Sequence, residues 1–181
     1  GQAMSRHFAF LRGINLGKRQ IKMADLKTCL SGIGLRDIRT IVASGNVGFE
    51  TDDDSNLQAR MEAVIAKTFG FQVGVVLRSE SEIATMLANA PFGQLDPQAD
   101  LTRHVMLFDT PLPAGLALND RPGHTEVVRI DVREIYLAGY RQPNGRYTEG
   151  MDDLGKQIEQ QLGKDRLMTA RNWNTIEKAL K

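Results

Sequence analysis

Three short runs carry the residue types that handle polar or charged ligands. LRGINLGK, residues 11–18, sets Arg12, Asn15 and Lys18 around Gly13 and Gly17. SGN contributes Ser44, Gly45 and Asn46, and TARNWNT, residues 169–175, contributes Arg171, Asn172 and Trp173. A guanidinium fork matches phosphate or carboxylate, and backbone amides beside glycines can cradle an anion. GINLGK is not a P-loop, because that pattern keeps four residues between its glycines and a Ser or Thr after its lysine. Here three residues intervene and Arg19 follows Lys18. A structural reading competes at each run. Gly13 and Gly17 can supply positive φ in a turn, and Ser-Gly-Asn is ordinary hairpin material. Asn174 with Glu177 resembles a capping box, on a last helix whose Trp173, Ile176 and Leu180 face a core.

The remaining reactive residue types select no reaction and no cofactor. His7, His104 and His124 are scattered, with no partner at metal-ligand spacing, and the first two fall in apolar runs where a structural role is expected. No nucleophile elbow, HExxH or dinucleotide fingerprint occurs. Asp52, Asp53 and Asp54 read as a solvated helix start rather than a metal site. Cys29 is the single cysteine, so no intramolecular disulfide can form. Its helical spacing with Leu26, Leu30 and Ile33 makes it a small core residue.

The bulk properties fit an ordinary globular protein. The chain has 181 residues, 41% hydrophobic and 25% charged, with a formal net charge of +1. That charge supplies no global field for a nucleic-acid partner. No apolar run approaches the roughly 18 residues of a membrane helix, and no charged-then-apolar leader opens the chain. Gly1-Gln2-Ala3 ahead of Met4 reads as a cloning remnant. A reduced, cytoplasmic setting is the expectation.

Periodicity lays out the elements that must position the three runs. A strand over about 6–12 precedes a helix with apolar residues at 23, 26, 29, 30 and 33. IRTIVA and NVGFE form a hairpin turning at Ser44-Gly45. The helix of Leu57, Met61, Val64, Ile65 and Phe69 follows, with Ser55 as its capping residue, and then the strand FQVGVVLR. The order β-α-β-β-α-β is that of a ferredoxin-like α/β sandwich. A helix over 79–90 and a polar connection lead to a second pass: RHVMLFD, a short helix at PAGLALN, the hairpin EVVRID and EIYLAGY, the helix DDLGKQIEQQLG, the strand RLMTA and a last helix. The fold class is therefore α+β, with a first ferredoxin-like half over 4–78, a linker over 79–101 and a second half with C-terminal helix over 102–181. The repeat is one of pattern, not of visibly similar residues.

In a sheet of order 4-1-3-2 the first and third strands are antiparallel neighbours. Arg12 to Asn15 then lie beside Ser44 to Asn46, and the following helix points its free N–H groups to the same end. The leading expectation is a site there for a small polar or anionic ligand, phosphate-bearing or nucleotide-like. Two alternatives come from other classes. One is a protein-interaction module without a small ligand. The other is RNA binding, in which Phe8, Phe10 and Phe49 would stack bases on the sheet. Against RNA, the signature of the RNA-recognition motif is absent from NVGFE, and the first strand is apolar on both faces, so its second face should be covered.

LRGINLG, SGNVGF and TARNWNT, in this order and spacing, resemble the bacterial family designated domain of unknown function 1697. The similarity runs from about Arg6 to Lys181. The resemblance implies a two-part α/β protein. It marks Arg12, Gly13, Asn15, Ser44, Gly45, Asn46, Arg171, Asn172 and Trp173 as signature positions, and it brings no activity with it. Two departures stand out. Lys18 occupies a place where relatives commonly have a second glycine, and NGRYTEGMDDLGK replaces a glycine-rich stretch carrying a Ser-Lys pair.

Overall fold

Strand β1 (Ser5–Arg12) is the pivot of the first sheet. The computed structural model describes residues 4–14, 17, 19–148 and 151–181, and at 44 and 151–153 the backbone alone. β1 pairs antiparallel with β3 (Ala43–Thr51) on one side and with β4 (Gly74–Ser79) on the other, and β2 (Arg36–Ile41) completes the order β2-β3-β1-β4. Side chains alternate along β1. Ala9 and Leu11 join Val47, Phe49 and Val75 against helices α1 (Met23–Ser31) and α2 (Leu57–Phe69), which contribute Leu26, Leu30, Met61 and Ile65. Phe8 and Phe10, on the opposite face, are also fully buried, so the strand is covered on both sides as its composition predicts. Cys29 is buried with this core, its thiol donating to the Val64 carbonyl at 3.6 Å.

The second sheet repeats the order as β6-β7-β5-β8, from β5 (Leu101–Phe108), β6 (Thr125–Ile130), β7 (Glu134–Tyr140) and β8 (Met168–Asn172). Met106, Phe108, Ile135 and Leu137 pack on Leu154 and Ile158 of α4 (Met151–Leu162). The two antiparallel four-stranded sheets are thus those expected. The short helix expected at PAGLALN is missing: residues 111–120 run without helix between β5 and β6. Pro111 and Pro113 remove two amide donors, and Gly115 sits at φ +82°, so a helical turn cannot propagate.

Two other local expectations also need correction. The β2–β3 turn falls at Val42, and Ser44 and Gly45 lie within β3. The pairing runs Thr40 to Val47 and then Ile41 to Ala43, so residues 44–46 form a bulge. The buried Asn46 amide closes it by donating to the Ile41 carbonyl at 3.1 Å. At α2 the N-cap is Asn56 at φ +48°, not Ser55, whose amide and hydroxyl both donate to Asp53 in the preceding turn.

Packing groups the chain into two units, Gly1–Thr85 with Glu177–Lys181, and Met86–Ile176. Each β-sheet runs directly into a helix, α3 (Glu80–Ala88) after β4 and α5 (Trp173–Ala179) after β8. The end of α5 joins the first unit, where Arg39 donates to the carbonyls of Ala179 at 2.8 Å and Lys181 at 3.1 Å.

The halves also share a device in their residues. Ser5-Arg6-His7 opens β1, and Thr102-Arg103-His104 lies at the start of β5. Each hydroxyl contacts the histidine two residues on and donates to the facing strand, Ser5 to the Thr51 carbonyl and Thr102 to that of Gly139. Each arginine reaches the helix after the fourth strand, Arg6 near Glu80 at 4.0 Å and Arg103 donating to Asn174 at 2.7 Å. The fourth strands match too. Arg78 faces Phe8 and Arg171 faces Val105, and each guanidinium donates to the carbonyl of the residue before it at 2.9 Å.

Candidate functional site

The end of β1 and the start of β3 meet as expected. Phe10 pairs with Asn46, which puts Arg12, two residues further, beside the bulge. Arg12 is exposed, and Gly13 follows at φ +82° to turn the chain out of the strand. Asn15 and Lys18 lie outside the described residues. The segment 12–22 holds Arg12, Lys18, Arg19 and Lys22 and no carboxylate. It delivers the chain to α1, whose N-cap Lys22 makes no side-chain capping bond. Arg19 stacks its guanidinium 5.5 Å from the Phe71 ring centre, and Gln20 donates to the Gly17 carbonyl. On the β3 side Gly45 and Asn46 are buried, and Asn46 is engaged by the bulge. Arg12, Gly17, Arg19 and Gln20 are exposed at this end, whereas Gly45 and Asn46 are buried.

The third run belongs to the second unit. Asn172 is the cap of α5, its Oδ1 accepting the Asn174 amide at 2.9 Å, in place of the Asn174–Glu177 box expected. Asn174 instead receives Arg103. The Trp173 ring lies 5.4 Å from Phe92 and 5.6 Å from Tyr136, within an aromatic cluster. Arg171 is half-buried and donates to Thr169 Oγ1 at 2.5 Å as well as to Ala170. Burial pushes its guanidinium down to about 10.

Periodicity gave no sign of a cleft of about 670 Å³ at the corresponding end of the second sheet. Its walls are Leu112, Leu116, Ile130 and Val132, with the Arg129–Asp131 ion pair (2.7 Å) and Asn89 among its polar lining. Proline-rich irregular chain and a hairpin tip form it, and neither has a period to read. Among the described residues no group of three or more His, Cys, Asp or Glu could hold a metal, and no helix is long and apolar enough to cross a membrane.

No curated protein matches the chain. Among solved structures it is similar to that of the conserved bacterial protein SP0830 from Streptococcus pneumoniae, with a TM-score of 0.72 over 98% of this chain and 97% of that one. The two are 22% identical, so the likeness is one of fold. The profile of the protein family of unknown function DUF1697 matches residues 4–136, which contain the whole first sheet, β5, β6 and the start of β7, and to that family the chain belongs.

Proposed function

We propose that the β1–α1 end of the first sheet binds a small anionic ligand, phosphate-bearing or nucleotide-like. The observation that carries this reading is the run of four cations without a carboxylate over 12–22, opening on an exposed Arg12 and ending at a helix start without a side-chain cap. Helix N–H groups and their dipole favour an anion, and an arginine fork orients it. Gly13 keeps the loop backbone free of side-chain bulk at the strand end. RNA is the poorer reading, because Phe8, Phe10 and Phe49 are fully buried and give bases no platform.

A thermal-shift series with inorganic phosphate, nucleotides, sugar phosphates and short RNAs tests the reading. A ligand at 100 times its Kd stabilises by about 2.7 kcal/mol, roughly 5–10 °C for a chain of this size. Arg12→Ala should abolish the shift. A blank across all classes would turn the reading toward a protein-interaction module.

We also propose that the two halves arose by duplication. The recurring [ST]-R-H start, the paired arginines of β4 and β8 and the same strand order in each half support it.

A further inference from the structure

We propose that the cleft of the second unit is a preformed site for a small organic ammonium compound, an apolar body carrying one protonated amine. Among the described residues, the exposed large hydrophobics Ile130 and Val132 stand two positions apart at the β6–β7 tip, and both line this cleft. Leu112, Pro113 and Leu116 extend the apolar wall. Apolar surface left open in a concavity and rimmed by polar groups marks a binding site. The volume of about 670 Å³ lies within the roughly 300–1,000 Å³ of small-molecule sites.

The wall formed by residues 112–116 has no helix or strand of its own, yet it is held at both ends. Before it, Arg166 donates to Thr110 Oγ1 at 3.1 Å and to the Pro111 carbonyl at 2.7 Å. After it, Gln157 of α4 exchanges two hydrogen bonds with the Asn119 backbone, and Gln161 donates to the Ala117 carbonyl at 2.7 Å. The Leu112 amide donates to the Val132 carbonyl at 2.7 Å, which ties this wall to the hairpin tip. Walls fixed in advance spare a ligand the entropy of ordering them.

Charge selects the class of ligand. The charged residues of the lining are Arg129, Asp131 and Glu134, a surplus of one carboxylate. Arg129 Nε donates to Asp131 Oδ1 at 2.7 Å, so the cation of the lining is offset by its neighbour. Glu134 is only 9% exposed, where solvent ions screen a charge less than at the surface. A surplus carboxylate beside an apolar wall attracts an ammonium group on an apolar body and repels carboxylates and phosphates. The site is thus opposite in sign to the one proposed for the first sheet, and neither depends on the other.

The test titrates phenethylamine, phenethyl alcohol and phenylacetate into the full chain and follows the amide resonances of Gly115, Leu116 and Val132. The three probes share a ring and a short chain and differ in charge. The amine should bind at least about tenfold more tightly than the alcohol, the weight of one charge-assisted hydrogen bond, and the acid should bind most weakly. Glu134→Gln should bring amine and alcohol together. Asp131→Asn, which releases Arg129 from its ion pair, should turn the preference toward the acid and keeps the test decisive if the Glu134 variant fails to fold. Val132→Ala, at an exposed position, should weaken amine and alcohol alike by roughly threefold, through lost apolar contact. Equal binding of the three probes, a preference for the acid in the unaltered protein, or no binding by any of them would overturn the proposal.

Discussion

Arg12 and Asn46 stand near each other at one sheet end, yet they answer to different physics. Arg12 is exposed, so Arg12→Ala should change stability by under about 0.5 kcal/mol while removing the phosphate-induced shift. Asn46 is 3% exposed and satisfies the Ile41 carbonyl inside the bulge. Asn46→Ala leaves that carbonyl without its side-chain donor and should cost about 1–3 kcal/mol in chemical denaturation. A variant that melts like the parent would show that water replaces the amide. The same contrast explains why SGN reads as a site from its letters alone. Asparagine is as well suited to closing a bulge as to meeting a ligand, and only burial separates the uses.

At the scale of elements, helices with an apolar stripe and strands of β1 type were legible because burial imposes a period on them. The missing helix at PAGLALN (113–119), the turn at Val42 and the cleft were not, because prolines, left-handed residues and irregular chain follow local sterics without a period. The repeat was legible as an order of elements and not as similar residues: Ser5-Arg6-His7 against Thr102-Arg103-His104 is a match of three residues 97 positions apart, which carries little weight until the pairings place them alike. One element has a sharp steric requirement. The segment 141–148 folds back on β7, with the Thr148 hydroxyl donating to the His124 carbonyl and the Thr148 amide to that of Tyr140 at 3.1 Å. A Cβ at Gly139 would come within 1.9 Å of the Thr148 carbonyl oxygen. Backbone must then move, so Gly139→Ala should destabilise by about 1–3 kcal/mol or more. Its signature would be faster hydrogen exchange at Thr148 with β1 unaffected.

For the whole molecule, the response to pH follows from a few hydroxyl–carboxylate contacts. Asp53 is held below the usual carboxylate range by the Ser55 hydroxyl and amide, and Asp100 by the Tyr147 hydroxyl and then by Arg141. A carboxyl depressed in the fold stabilises above its unfolded value of about 3.9, and the gain is lost as pH falls through the folded value. Tyr147 is raised by its bond to Asp100, and Tyr140 by burial and by Glu126. Their neutral forms belong to the fold, so that contribution is intact below about pH 10 and fades as pH rises further. The melting temperature should therefore decline at both extremes. Asp100→Asn should blunt the acid side, and Tyr147→Phe the alkaline side; unchanged slopes would sink the assignment. The clasp of Arg39 on Ala179 and Lys181 has a bearing on biosynthesis. A ribosome releases β1, the four strands of the first sheet and the core between α1 and α2 long before it releases the residues that Arg39 holds. A nascent first sheet therefore holds Arg39 without these two acceptors until the chain has been made as far as Lys181.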